Sequence, residues 1–532
     1  MSLRPAREGD GKGTINPWLI APLVALAAFM EVLDISIANV SLQHIAGDLS
    51  AGQDESTWIL TSYLVTNAVI LPVSGWLSSV MGRTRFFVAC IIGFSISSLA
   101  CGLAPTLGLL IVFRAIQGLT GGGLQPTAQA ILADSFPPRQ RGMAFALYGM
   151  AVVFAPAIGP TLGGWITDQF SWRWVFLLNV PIGVVLTMLV TALLQDPPAY
   201  TAARLERRRQ GAKVDYIGFS LLAVGLGFLQ IVLDKGEQEA WFASSFIFWL
   251  SVFSLLSLIS FVLWELGQKH PIVELRLLFE RNFGVANLLM FLLGFILLGS
   301  TVLLPELVQR LFGYTATEAG LVITPGGVSI ILVMPIVGRL VSVVDSRYLI
   351  ALGLVICSFA LFHMADFSLE TDYRTFVWAR IYQAFGLSLL FIPINTAAYR
   401  FIPATMSSEA SALINVARNL GGSFGISLVT TYLSRFGQVH QTTLVAHATP
   451  FDAPYRDMMN GLALSFVAQG ATAAEASAKA LGSIYAIVQK QALLLAFLDD
   501  FQMLGIVFLA VLPFVFIMKG GLPGHGPGPA AH

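Results

Sequence analysis

The chain has 532 residues, of which 56% are hydrophobic and only 11% charged, with 30 Lys and Arg balanced by 30 Asp and Glu. Soluble globular proteins carry about 25% charged residues, so this chain has too little polar side chain to cover a water-facing surface, and its zero net charge gives no field to draw in a nucleic-acid backbone. Soluble enzyme, disordered scaffold and nucleic-acid binder are disfavoured together, and the composition is that of a polytopic membrane protein.

In chain order, residues 1–16 hold Arg4, Arg7 and Lys12, and the apolar stretch that follows runs from 17 to 42. That is far beyond the roughly 7–15 residues of a signal-peptide core, and it contains Glu31 and Asp34. It therefore reads as a first membrane span rather than a cleaved leader. A span needs about 20 mostly apolar residues. Fourteen such segments are predicted, at 17–42, 58–80, 85–105, 107–130, 142–166, 174–195, 217–234, 243–265, 284–308, 319–341, 348–367, 374–399, 412–433 and 498–519. Their length and lack of alternation predict helices, not barrel strands.

An even number of spans puts both termini on one side. With the N-terminus inside, inner segments hold 19 Lys and Arg and outer segments 8, four of which (Arg435, Arg456, Lys479, Lys490) sit in one long segment that carries little weight in orientation. Cytoplasmic termini are expected. Two connections are long. A basic inner linker around 196–216 contains Arg204, Arg207, Arg208, Arg209 and Lys213, and an outer segment at 434–497 carries an alanine-rich stretch with helical propensity. The linker divides the chain into an expected N-terminal six-helix bundle (1–200), an inserted pair of spans with the linker (201–272), and a C-terminal six-helix bundle (273–532). The outer segment is expected to be partly ordered.

An internal repeat supports this division. Arg114-x-x-Gln117 in the fourth span recurs as Arg380-x-x-Gln383 in the twelfth, followed by Pro126 and Pro393 respectively. The fourth span corresponds to the twelfth if two helices are inserted between the halves, and two related six-helix halves are the architecture of many secondary transporters.

An ionised side chain at the bilayer centre costs about 2.5–3.5 kcal/mol on insertion scales, so each is a functional candidate. Glu31 and Asp34 share one helical face of the first span. Counting rise per residue, Asp34 lies roughly 12 Å, and Arg114 roughly 10 Å, from the outer ends of their spans. A pair between spans 1 and 4 is thus allowed, either as a structural tie or as a proton site in which a moving guanidinium tunes a buried carboxyl. In span 5, Gly149, Pro156, Gly159, Pro160, Gly163 and Gly164 combine bends with a ridge of small residues that admits a neighbouring backbone. Between spans 2 and 3, Gly75 to Arg85 holds Gly82 for a tight turn, with Arg83 and Arg85 able to reach helix carbonyls or carboxylates.

No nucleophile elbow, metalloprotease or phosphate-loop motif falls on a polar segment, so no enzymatic activity, metal or cofactor is expected. Cys90, Cys101 and Cys357 lie in apolar runs without a CxxC or His partner, which excludes a disulfide framework or zinc site.

These residues resemble the major facilitator superfamily, specifically its fourteen-span drug:proton antiporters of the EmrB/QacA type. Leu33-Asp34-Ile-Ser-Ile37-Ala-Asn39-Val40 resembles that family's first-span signature, and Gly75 to Arg85 the loop motif, with Ser79 where an acidic residue is usual. Arg114-x-x-Gln117-Gly118 resembles the span 4 motif and Gly149 to Gly164 the antiporter motif, while Trp172-Arg173-Trp174-x-Phe176-x-x-Asn179-x-Pro181 is similar to the entry to span 6. The outer segment with His440 and Pro450-Phe451 looks more like EmrB-type proteins. The resemblance implies an all-α major facilitator fold in a bacterial inner membrane. It also implies export of hydrophobic or amphipathic drug-like compounds driven by the proton gradient, and a periplasmic adaptor with an outer-membrane channel as partners.

On this reading Asp34, Glu31 and Arg114 couple protons, and a cavity near the midplane between the bundles binds substrate. Its candidate lining is Tyr63, Asn67, Gln125, Asn287, Gln383, Phe391 and Asn395. A proton-coupled uptake symporter could use the same carboxylates, and a membrane receptor could use the outer segment as its ligand domain.

Overall fold

A computed structural model of the chain describes residues 16–196, 201, 215–268 and 271–521. The basic linker residues Arg204 to Lys213 and the N-terminal Arg4, Arg7 and Lys12 lie outside the described residues. The fold is all-helical. Its long helices are α1 (Pro17–Asp48), α2 (Trp58–Met81), α3 (Arg83–Gly102), α4 (Leu107–Ser135), α5 (Pro138–Gln169), α6 (Arg173–Leu193), α7 (Tyr216–Lys235), α8 (Ser245–Gly267), α9 (Arg281–Phe312), α10 (Ala316–Leu340), α11 (Ser346–Ala365), α12 (Tyr373–Ala398), α13 (Ser407–Ala446) and α14 (Ala473–Val515).

Local signals set many of the ends. Asn16 accepts the Trp18 N–H with Pro17 in the first turn of α1, and Thr315 and Glu318 form a capping box on α10. Gly313 ends α9 at φ +71, and Gly82 turns α2 into α3 at φ +96, both conformations that side chains other than glycine rarely adopt. Span 4 is not one straight helix as expected. It divides into Leu107–Gly121 and Leu124–Ser135, because Gly122 and Gly123 hold the chain weakly and Pro126 offers no N–H to the preceding turn.

Thirteen of the described helices are long and apolar enough to cross a membrane. The other long helix, α13, is the fourteenth. It is more polar because Asn415 and Arg418 in its first half are buried inside the protein rather than facing lipid. Around the outside, large apolar side chains such as Ile96, Met188, Leu263, Leu332 and Phe359 stay exposed, the pattern expected where the solvent is hydrocarbon.

The helices pair in a repeated pattern. In the first half α1 packs on α5, α2 on α4, α3 on α4 and α3 on α6; in the second α9 packs on α13, α10 on α12, α11 on α12 and α11 on α14. Adding eight to each helix number maps one set onto the other, as the insertion of two helices requires. Between the halves, α5 packs on α10 and α13 on α2, a pair related by the same shift. Helix α7 packs on α2 and α13, while α8 leans mainly on α7.

The long outer segment 434–497, expected to be a partly ordered loop with a helical alanine-rich stretch, is helical over most of its length: α13 runs on to Ala446, a helix at Ala453–Ala468 follows, and α14 begins at Ala473 behind a Thr472–Glu475 capping box. At about 1.5 Å per residue, α13 (40 residues) and α14 (43 residues) are each about twice as long as the roughly 30 Å hydrocarbon core is thick. The two form a helical extension at the end of the molecule opposite the termini. His440 Nε2 lies 2.7 Å from Asp499 Oδ2 and ties α13 to α14 at its base.

Candidate functional site

Two polar clusters occupy the first half, one turn apart on α1. In the first, Arg114 Nη1 meets Asp34 Oδ2 at 2.5 Å, with both side chains fully enclosed. The pair that helix depth allowed is direct. Asp34 Oδ1 also accepts from Gln117 Nε2 at 3.0 Å and Asn179 Nδ2 at 2.7 Å. Those two amides donate their other protons to Ser98 Oγ, and the Ser98 hydroxyl donates to the Phe176 carbonyl. Arg114 further donates to Gln117 Oε1 at 2.7 Å and to the Ile59 carbonyl, and its guanidinium lies 4.3 Å from the centre of the Tyr63 ring. Three donors from α4 and α6 therefore converge on the Asp34 carboxylate, an arrangement that offsets the cost of burying it.

The second cluster is built differently. Glu31 is 1% exposed, and its Oε1 accepts from Asn67 Nδ2 at 3.1 Å, but its Oε2 has no hydrogen bond among the described residues. On its far side are Gln125 of α4 and Arg418 of α13, in the other bundle. Arg418 Nη2 donates to Gln125 Oε1 and, at 2.9 Å, to Asn415 Oδ1, while Asn415 Nδ2 donates to Gln129 Oε1 at 2.8 Å. Arg418 Nη1 has no partner among the described residues. A carboxylate oxygen and a guanidinium nitrogen, each without a hydrogen bond among the described residues, thus belong to groups that attract each other across the bundle boundary. The sequence placed Arg418 inside a span but gave it no role; its signal was the i, i+3 pair Asn415 and Arg418 within that span.

Glycines and prolines set how closely the helices approach. A Cβ on Gly159 would lie 2.5 Å from Ser36 Cβ, and one on Gly163 would lie 3.1 Å from Ile37 Cα, so these two positions seat α5 on α1. Gly164 faces open space, and Gly149 lies against Phe391 and Met334. Pro160 offers no N–H to the Pro156 carbonyl, which instead accepts a long 3.5 Å bond from Ser36. Gly118 lets α4 approach the Tyr63 backbone.

The loop between α2 and α3 closes the two bundles on each other at the end carrying the termini. A Cβ on Gly75 would lie 2.9 Å from Glu409 Cα. Arg83 pairs with Asp134 of α4 at 2.6 Å, and Ser407 of α13 donates to the same carboxylate at 2.6 Å. Further in, Phe145 stacks on Tyr399 and Tyr148 on Phe391.

Among the seven lining candidates, Tyr63, Asn67 and Gln125 gather around Glu31 and Arg114, and Phe391 stacks on Tyr148. Asn287 and Asn395 each donate to a carbonyl one turn back on their own helix, and Gln383 belongs to a cluster around Arg380. None of the seven lines the cavity of about 750 Å³ that opens toward the helical extension. That cavity lies between α2, α7, α9, α13 and α14, with Leu64, Asp234, Glu306, Ser423 and Gln489 on its walls. Among the described residues no group of three His, Cys, Asp or Glu side chains could hold a metal ion.

The Major Facilitator Superfamily profile matches residues 24–426. The chain is 35% identical to the fatty acid resistance protein FarB of Neisseria gonorrhoeae over 97% of this chain and 99% of that one. It is 36% identical to the multidrug export protein EmrB of Escherichia coli (strain K12) over 96% of each. The crystallised proton:xylose symporter XylE shares the fold at a TM-score of 0.60 and 14% identity, covering 94% of this chain and 95% of that one. With helix pairing, polar clusters and sequence in agreement, the chain belongs to the major facilitator superfamily and, within it, to the EmrB-type branch.

Proposed function

We propose that this protein is a proton-driven multidrug exporter of the bacterial inner membrane, with both termini cytoplasmic. The excess of Lys and Arg on the termini side supports that orientation. Residues 1–200 and 273–532 act as the two moving bundles, and 201–272 is the inserted pair with its linker. Relatives named for multidrug export and for fatty acid resistance support hydrophobic and amphipathic compounds as the cargo.

The observation that carries the reading is the contrast between the two carboxylates of α1. Asp34 is saturated by Arg114, Gln117 and Asn179, whereas Glu31 keeps one oxygen without a hydrogen bond among the described residues and feels the charge of Arg418 in the other bundle. Ionised Glu31 attracts Arg418 and favours the arrangement in which the bundles meet there. A proton on Glu31 removes that attraction, so proton binding biases the bundle arrangement. Substrate competes for that bias only through its different affinity for the two arrangements. Asp34 and Arg114 hold α1 to α4 and set the position of Glu31, and Tyr63, Asn67, Gln125 and Phe391 are the substrate-contacting side chains nearest to it. The proton gradient supplies the energy. The helical extension is the docking surface for a periplasmic adaptor that leads to an outer-membrane channel.

Everted membrane vesicles with an imposed pH gradient test this. In acid-loaded vesicles substrate should accumulate in the lumen as protons leave it in the wild type, and accumulation should lose its dependence on the gradient in Glu31→Gln. Undiminished gradient-driven transport by Glu31→Gln removes the proton assignment, and transport in the opposite sense means an uptake symporter.

A further inference from the structure

The repeat that relates the halves leaves one charge uncompensated. Arg114 lies seven residues after Leu107 at the start of α4, and Arg380 seven after Tyr373 at the start of α12. Both arginines donate through Nη1 to the glutamine one turn on, Arg114 to Gln117 at 2.7 Å and Arg380 to Gln383 at 2.5 Å. Gln117 also donates through Nε2 to Asp34 of α1, and Gln383 donates through Nε2 to Ser300 of α9, so a serine stands where the first half has its carboxylate. Where Arg114 then meets Asp34, Arg380 meets only the hydroxyl of Thr301 on α9, at 3.3 Å. Arg380 is 5% exposed, and among the described residues it has no carboxylate partner and uses two of the five N–H donors a guanidinium carries.

A buried guanidinium without an anion carries an unrecovered desolvation cost. The first half shows what satisfies it: a carboxylate beside the same arginine–glutamine pair. Gly326 of α10 makes room for the arginine stem, since a Cβ there would lie 2.8 Å from Arg380 Cγ. The planar fork of the guanidinium matches a carboxylate with two parallel bonds.

We propose that Arg380, with Gln383 and Thr301, is a subsite for the carboxylate head of an anionic amphiphile, which supplies to Arg380 the negative charge that Asp34 supplies to Arg114. The subsite names a substrate class for the export reading and rests on that reading only for its place in transport.

The test is equilibrium binding without a proton gradient, using protein in nanodiscs of zwitterionic phosphatidylcholine in chloride-free buffer. Decanoate, decanol and decylammonium differ only in the head group. Decanoate should bind wild type more tightly than decanol, and Arg380→Gln should weaken decanoate by tenfold or more while leaving decanol unchanged, with Arg380→Lys recovering part of the loss. Thr301→Asp guards against misfolding, because it supplies the missing carboxylate within the chain; it should keep the arginine compensated and abolish the preference for decanoate. Equal decanoate affinity in wild type and Thr301→Asp, or no preference for decanoate over decanol in wild type, overturns the proposal. So does full displacement of decanoate by millimolar chloride with no effect on decanol, which would mean an inorganic anion site. A protein that binds decanoate through Arg380 but ignores a pH gradient in vesicles would sink the proton-driven reading and leave this one standing.

Discussion

Arg83 and Asp134 meet at 2.6 Å at the end of the molecule that carries the termini, and Asp134 also accepts the hydroxyl of Ser407 from the opposite bundle. The ion pair lies within the first half, and the serine bond crosses to the second. One carboxylate therefore links the loop between α2 and α3 to the start of α13. Ser79, the position at which the loop motif usually has an acid, instead donates to the carbonyl of Trp76. The acid comes from α4, and the closure contact forms with it.

Asp134→Ala should loosen that end. Removing one partner of a buried pair leaves the other charge uncompensated, at a cost of about 3–5 kcal/mol. Thermal unfolding in detergent should shift downward, and a cysteine placed at Ser78 should label faster from the termini side. Arg83→Ala combined with Asp134→Ala should recover part of the stability. Unchanged labelling in Asp134→Ala would mean that the contact does not hold the closed arrangement.

The two carboxylates of α1 should separate by their effect on stability. Glu31→Gln preserves shape and the bond from Asn67 and gives up only the longer-range attraction to Arg418, so it should cost about 1 kcal/mol, the usual size for a point substitution. Asp34→Asn turns one acceptor edge into donors facing the donors of Gln117 and Asn179, and it unpairs Arg114. It should cost several times more, of the order of 3 kcal/mol. Equal losses in stability would erase the distinction between a holding and a titrating carboxylate.

The glycines of α5 offer an internal control. Gly159→Ala forces Ser36 aside and should cost about 1–3 kcal/mol, the usual range for overpacking. Gly164→Ala meets nothing within 4 Å and should be neutral or slightly stabilising through the lower chain entropy of alanine. Melting temperatures for the two variants, with transport measured at matched expression, decide it; a defect in Gly164→Ala as large as that in Gly159→Ala would remove the steric account.

Much of this architecture was legible because membrane helices obey fixed arithmetic. A rise of about 1.5 Å per residue placed Asp34 and Arg114 at one depth, and the repeated Arg-x-x-Gln set the correspondence between α4 and α12. Contacts between bundles were not legible in the same way. Asn415 and Arg418 mark a polar face on α13, yet nothing local says that it meets Gln125 and Gln129, since that depends on how two rigid halves dock. In the segment 434–497 the alanine-rich stretch was legible as helical, but the continuation of α13 to Ala446 and the helix at Ala453–Ala468 were not, since outside hydrocarbon a helix needs no run of apolar residues. Its helicity comes from caps such as Thr472 with Glu475 and from packing along the hairpin.

The extension allows a test of partner docking that leaves the membrane part in place. Gln441 Nε2 reaches the Tyr485 hydroxyl at 3.4 Å, so α13 and α14 are adjacent at that level, and a short Gly/Ser linker of about six residues can replace 442–484, within the usual length of helix–helix connections. The cut spares His440 with Asp499 and the cavity walls at Gln438, Gln441, Gln489 and Leu493. It removes exposed apolar side chains at Val445, Phe451, Met458, Leu464 and Leu481, a set that stands well outside hydrocarbon and suits a protein surface better than water. The shortened protein should therefore transport in vesicles at the wild-type rate, lose capture of the periplasmic adaptor on co-purification, and give lower drug tolerance in whole cells at matched expression. Normal adaptor capture together with normal tolerance would reduce the extension to a spacer, and lost transport in vesicles would place part of the transport path within it.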